Sequence, residues 1–276
     1  MTLPRFLCIG AQKAGTSWLF AQLQSHPKVW MPPLKELQYF SHLYVPEHRS
    51  WTTWHIRQGA ARALQYHVGR DENPDFGYVR YLADLGSREL FTDDWYRRAF
   101  DRPGARGKVV GDITPEYSTI PEAGIQHVRA LLGAVRIIYL IRAPLSRALS
   151  QLRMNLSRKG LTEPSEAAWI EAADQWDIGN RGDYAAYVPR WKAHFAAEDL
   201  LFLPYGRLRS DPEGLMRRVE AFLGLEPHGY DRLAEEVHKS KEIAVPEPIV
   251  ARLAERLAPQ TAFIAAEFGE SFAAET

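Results

Sequence analysis

Two stretches of the chain carry residue types suited to holding anions. The first, residues 10–17 (Gly-Ala-Gln-Lys-Ala-Gly-Thr-Ser), follows a short apolar run and precedes a segment with Trp18, Leu19 and Leu23. Backbone N–H groups in a loop of this kind, with a helix N-terminus behind them, form a cradle for a phosphate-like group. Ala14 and Gly15 let the backbone approach closely, Thr16 and Ser17 add hydroxyl donors, and Lys13 adds a positive charge. The second stretch begins at Arg142, which leaves the apolar run 136–141, and continues to Ser150. An arginine fork and a serine hydroxyl suit a second anionic group. Taken alone, the first stretch is as readily a glycine turn with a solvated lysine. The second, alone, reads more readily as a strand-end arginine and an exposed serine. Together they favour a ligand with two separated anionic ends.

Those side chains need a frame. Phe6–Ile9, Val135–Ile141 and Leu200–Leu203, with a weaker Lys108–Val110, read as buried parallel strands. Leu145, Ala148, Leu149, Leu152 and Leu156 form a helical stripe that Pro144 opens, with Ser150 opposite in character to it. Leu215, Val219, Phe222 and Leu223 form another. Ile249 to Phe268 predicts a long C-terminal helix interrupted or kinked near Pro259. Strands alternating with helices predict an α/β fold, a parallel sheet flanked by helices with both anion segments on its carboxyl rim. Residues 43–102 show no convincing strand and many aromatics. We read them as a helical insertion or lid over the acceptor site, within a single domain 1–276.

Composition narrows the function. The chain has 276 residues, 46% hydrophobic and 25% charged, as soluble globular proteins do. Lysine plus arginine equals aspartate plus glutamate at 34 each, which argues against a nucleic-acid binder. Cys8 is the one cysteine, so no intramolecular disulfide forms. The short apolar runs predict a cytoplasmic protein with no membrane partner, and no metal-ligand cluster is evident. Residues 43–102 hold nine arginines, nine acids and no lysine. That balance predicts a cleft without positive bias, and the aromatics point to an apolar or ring-bearing acceptor.

The first loop has the spacing of a Walker A sequence, but its lysine is displaced into the loop at Lys13 and Thr16 occupies the usual position. GAQKAGTSW resembles the 5′-phosphosulfate loop of sulfotransferases, and IRAPLSRALSQ resembles their 3′-phosphate segment. Lys35-Glu-Leu-Gln-Tyr-Phe40 and Asp112-Ile-Thr-Pro-Glu-Tyr117 are similar to segments of the branch containing the heparan sulfate N- and O-sulfotransferases and their bacterial relatives. Tyr184 and Trp191 match a Tyr and Trp seven apart, and His238-Lys-Ser-Lys241 resembles a late cofactor loop.

The resemblance implies a P-loop-like fold and 3′-phosphoadenosine 5′-phosphosulfate as donor. Lys13 would stabilise the leaving phosphate and Glu36 would be the general base. Lys13, Ala14, Gly15, Thr16, Ser17, Trp18, Arg142, Ser150, Tyr184 and Lys241 would bind the nucleotide. Lys35, Asp112 and Thr114 would serve the acceptor, a small molecule or a glycan. Read from the residues alone, Lys35-Glu36 is more readily a solvated surface pair, Trp18 is equally a core aromatic, and core packing with Trp191 is a rival reading of Tyr184. Departures fall on the acceptor side, where Ile113 and Gln38 replace the family lysine and histidine, and in the late loop, where Glu242 replaces a glycine. Rival readings are a P-loop nucleotide kinase and a non-catalytic nucleotide-binding protein.

Overall fold

The apolar runs become strands because both of their faces are covered. In the computed structural model, which describes residues 3–70, 73–87, 89–235 and 243–276, Phe6, Leu7, Cys8 and Ile9 have no exposed surface. They form β1 (Phe6–Gly10), followed by α1 (Thr16–Ser25) and a two-residue strand β2 (Val29–Trp30) that the sequence reading did not anticipate. Contacts divide the chain into two compact units, residues 1–9 with 20–137, and residues 10–19 with 138–276.

In the first unit come α2 (Tyr39–Tyr44), α3 (Arg49–Arg70), α4 (Phe76–Leu85), α5 (Asp93–Phe100), β3 (Val109–Ile113) and α6 (Glu122–Leu132). The stretch 43–102 is therefore helical, as expected. β3 pairs in parallel with β1, Leu7 opposite Asp112, and with β2, Trp30 opposite Val110. Gly111 makes room for its partner: a Cβ there would lie 2.0 Å from the Phe6 ring. β4 (Arg136–Ile141) begins in this unit, where the Arg136 N–H donates to the Arg5 carbonyl at 3.0 Å.

The second unit takes up the rest of β4, then α7 (Pro144–Arg158), α8 (Glu166–Asp174), α9 (Trp176–Asn180), α10 (Tyr184–Lys192) and β5 (Leu200–Pro204). It continues with α11 (Arg207–Ser210), α12 (Pro212–Leu223), α13 (Glu247–Phe268) and α14 (Glu270–Ala274). The strand order β2-β3-β1-β4-β5 is that of a parallel α/β sheet. The expected stripe of α7 is realised: Ala148, Leu152 and Leu156 are buried with Trp169, Ala172, Ile178, Leu253 and Leu257.

Of an interruption or a kink near Pro259, the interruption is absent: α13 runs through Pro259 for 22 residues. A proline in mid-helix removes one N–H bond, but tertiary contacts on both sides hold the helix together. Leu257 and Ile264 are buried, and the neighbouring Gln260 amide donates to Asp183 at 2.8 Å and accepts from the Ala185 N–H at 3.0 Å.

Candidate functional site

The glycine loop closes between β1 and α1. Gly15 has φ +86°, and a Cβ there would lie 2.3 Å from a Leu208 methyl. Glycine is thus required both by conformation and by room. Lys13 takes φ 69°, a left-handed backbone that costs a non-glycine residue roughly 1–2 kcal/mol. Ala14 is buried, and the Ala11 N–H donates to the Leu140 carbonyl at 2.8 Å, fixing the loop to β4. Thr16 and Ser17 open α1, whose first N–H groups lack intrahelical partners and point past its end. Trp18 is 5% exposed, its indole N–H donating to the Leu233 carbonyl at 3.0 Å.

Arg142 reaches the same loop from the end of β4. One guanidinium N–H donates to the Lys13 carbonyl at 2.6 Å, and Nε and the other terminal nitrogen donate to the Ser146 hydroxyl at 3.0 and 2.9 Å. Its Cζ lies 4.3 Å from the centre of the Tyr205 ring. Burial pushes the Arg142 pKa down, and Arg209 and Arg153 push it further in the same direction. It remains a cation at neutral pH, one whose surroundings favour an added negative charge.

The serine bonded to Arg142 is Ser146, which the sequence reading passed over. Ser150 lies one turn further on the same face of α7, and Met154 one turn beyond that, where its sulfur accepts from the Lys13 ammonium at 3.7 Å. Ser150 therefore sits between the residue that touches Arg142 and the residue that touches Lys13. Tyr184 is fully buried, its hydroxyl engaged with the Arg142 backbone. It positions Arg142 and presents no surface of its own. Lys241, with His238, Ser240 and Glu242, lies outside the described residues. A further contact was not legible in sequence: Arg181 donates to the Gln12 side chain in the loop.

In the first unit, Lys35 and Glu36 form an ion pair, about a fifth and a quarter exposed. The backbone around them is contorted. Glu36 and Gln38 take φ 65° and 57°, and Leu37 between them is fully buried. Sparsely populated conformations of this kind persist only where their surroundings enforce them. Here the surroundings are explicit. The His55 ring, on α3, bonds the Glu36 and Lys35 carbonyls at 3.0 and 3.3 Å. The Gln38 amide donates to Glu116 at 2.9 Å and accepts from Ser41 at 2.6 Å.

Asp112 and Thr114, expected at the acceptor, are 1% and 0% exposed. Asp112 accepts from Thr114, Tyr117 and Tyr96 at 2.8, 2.8 and 3.0 Å. Burial raises its pKa from 3.8 to about 6, against the lowering pull of those bonds and of Lys35. The Tyr117 oxygen in turn accepts from the Tyr39 N–H at 3.1 Å. Asp112 and Thr114 thus brace the Glu36–Gln38 turn from within the core. Lys35 also lines a cavity of about 910 Å³. Among the described residues, no group of three or more His, Cys, Asp or Glu is placed to hold a metal, and no helix is long and apolar enough to cross a membrane.

Residues 4–229 match the profile described as "Sulfotransferase family". The Mus musculus heparan sulfate glucosamine 3-O-sulfotransferase 3B1 is 32% identical over 139 residues, 48% of this chain and 35% of that protein. The Mus musculus bifunctional heparan sulfate N-deacetylase/N-sulfotransferase 4 is 26% identical over 245 residues, 82% of this chain and 23% of that protein. The chain therefore spans little more than a third of the first relative's length and under a quarter of the second's. A solved sulfotransferase from Alicyclobacillus acidocaldarius superposes with a TM-score of 0.65 at 25% identity, over 96% of both chains.

Proposed function

Because the chain belongs to the sulfotransferase family, whose members are enzymes that transfer sulfate, we propose that its donor is 3′-phosphoadenosine 5′-phosphosulfate and its acceptor a hydroxyl or amine of a small molecule or glycan. The observation that carries this reading is the bond from Arg142 to the Lys13 carbonyl. It joins the two anion-binding segments, as a donor with two phosphate-bearing ends requires. The cradle at Gly15, free of a Cβ, and the hydroxyls of Thr16 and Ser17 fit the 5′ end. Arg142, with Ser146 and Ser150 on one helix face, fits the 3′ phosphate.

The donor supplies an activated sulfuryl group on a phosphate leaving group. The chain supplies positioning and charge. Glu36 takes the proton of the acceptor hydroxyl as its oxygen bonds to sulfur. Lys13 neutralises the electron pair left on the bridging oxygen as the old sulfur–oxygen bond breaks. Lys35, bonded to Glu36, holds the carboxylate in place. Trp18 contributes a ring whose edge is fixed by Leu233, and Lys241 is a further nucleotide contact. Insertion 43–102 serves the acceptor side.

Calorimetry with adenosine 3′,5′-bisphosphate against ATP, with and without magnesium, tests the reading. Tight bisphosphate binding in EDTA is expected. Preference for magnesium-ATP would replace it with a nucleotide kinase, and bisphosphate binding without Glu36-dependent turnover would leave a non-catalytic nucleotide-binding protein.

A further inference from the structure

The nine arginines and nine acids of residues 43–102 balance in composition, but three of the arginines line one cavity. A cavity of about 910 Å³ opens against α3, α4 and β2, and its lining includes Lys35, Arg62, Arg70 and Arg102 and no described carboxylate. Arg62, Tyr66 and Arg70 follow one another at four-residue spacing and so share one face of α3. Three of the insertion's acids have partners outside the cavity lining. Asp75 caps α4 by accepting from the N–H groups of Gly77 and Tyr78 at 2.8 and 3.1 Å. Asp93 accepts the Tyr39 hydroxyl, and Asp94 pairs with Arg98 at 3.0 Å. The lining of this cavity thus has a positive bias that the balanced sum of the insertion does not report.

The cations are presented by rings. The Arg102 guanidinium lies 5.2 and 4.9 Å from the ring centres of Tyr78 and Tyr81, and that of Arg70 4.9 Å from Tyr66. Stacking fixes a guanidinium plane while leaving its N–H edges for a further acceptor. The one acid near Arg102 is Asp75 at 3.9 Å, itself well exposed, and the Gly77 carbonyl lies at 3.4 Å. Trp30, Tyr66 and Tyr78 add flat surfaces, and Met31, Pro33 and Leu34 add apolar ones. Lys35 pairs with Glu36 and Arg102 lies near Asp75, so among the described residues four cations face two acids, and such an excess concentrates anions from solution. The volume falls within the range of roughly 300–1,000 Å³ typical of small-ligand sites. Lys35 connects the cavity to Glu36, since its ammonium lines the one and bonds the other.

We propose that this cavity is the acceptor site and that its acceptor is a small hydroxylated ring compound carrying an anionic group. This rests on the sulfuryl-transfer reading above. Arg62 and Arg102 determine the preference, the anion held by their N–H groups and the ring lying against Tyr66, Tyr78 and Trp30.

The test is calorimetry on the full chain saturated with adenosine 3′,5′-bisphosphate. The probes are 4-hydroxyphenylacetate and 4-hydroxycinnamate, their methyl esters, and a glucuronate-containing heparan tetrasaccharide. At least one acid is expected to bind about tenfold or more tighter than its ester. Arg62→Glu, on an exposed helix face, is expected to erase that preference while leaving ester and bisphosphate binding unchanged. Arg102→Lys, which keeps the charge but not the stacked plane, is expected to lose part of it. Acids and esters binding alike, no acid binding, or tetrasaccharide binding without the acids would overturn the proposal. Failure to bind the bisphosphate is read separately and overturns the donor assignment instead.

Discussion

Tyr184 clasps the backbone of Arg142 from both sides: its hydroxyl oxygen accepts the Arg142 N–H at 3.2 Å, and its proton goes to the Arg142 carbonyl at 3.0 Å. The residue leaving β4 therefore has its backbone fixed by α10 while its guanidinium reaches the glycine loop. Tyr184→Phe keeps the ring and strips both bonds, leaving buried backbone groups unpaired at a cost of about 1–3 kcal/mol. A lower Tm is expected, with bisphosphate affinity weakened roughly tenfold. Unchanged affinity beside a lowered Tm would show that the clasp serves the fold and not the anion site.

Lys13 and Glu36 should fail in different ways. On the proposed mechanism, Lys13→Ala removes the charge at the leaving group and is expected to lower kcat by roughly a hundredfold or more, with weakened bisphosphate binding. Glu36→Gln removes the proposed proton acceptor and is expected to lower kcat by roughly 10²–10⁴-fold while bisphosphate affinity holds. Single-turnover rates with the radiolabelled donor, read beside calorimetry, separate the two. If Glu36→Gln keeps wild-type turnover, another group is the base.

Gly15 is constrained twice over, and the two constraints can be separated. Gly15→Ala brings both a left-handed alanine and a Cβ 2.3 Å from Leu208. Gly15→Ala combined with Leu208→Ala relieves the collision and leaves the backbone cost of about 1–2 kcal/mol. The double variant is expected to regain part of the Tm lost by Gly15→Ala, after allowing for Leu208→Ala alone, but not its bisphosphate binding. Full recovery of binding would mean that the loop's conformation at this position is not needed to cradle the anion.

What could be read from sequence follows the range of the interactions involved. β1, β4 and β5 were legible because apolar runs of five or six residues report burial on both faces. β2 was not: two residues carry no periodicity, and Val29 and Trp30 are strand only because β3 lies beside them. The glycine loop was legible because its chemistry is local. Ser146 was passed over in favour of Ser150 because both share a helix face, and only the reach of the Arg142 side chain distinguishes them. Asp112 looked like an acceptor residue because its sequence neighbours do, whereas Tyr96 and Tyr117 enclose it. The charges of the insertion sum to zero, and a sum carries no information about which of them line a given cavity.

Asp112 also makes a signed prediction about pH. Its pKa rises from 3.8 to about 6, chiefly through burial. Between those values the folded chain holds a proton that the unfolded chain has lost, so this group's contribution to stability falls as pH rises through that window and is level above it. The rise is worth roughly 3 kcal/mol against the folded state at neutral pH. Asp112→Asn removes the titration and can keep the cage. Its carbonyl can accept from Tyr96 and Tyr117 as Oδ2 does, and its NH₂ can donate to the Thr114 oxygen. Thermal unfolding of both chains from pH 4 to 7.5 is the measurement. The wild type is expected to lose stability relative to Asp112→Asn between about pH 4 and 6, with the difference constant above. A difference that does not change across that window would mean that Asp112 is not titrating there, and that the three hydroxyls hold its carboxylate ionised despite its burial.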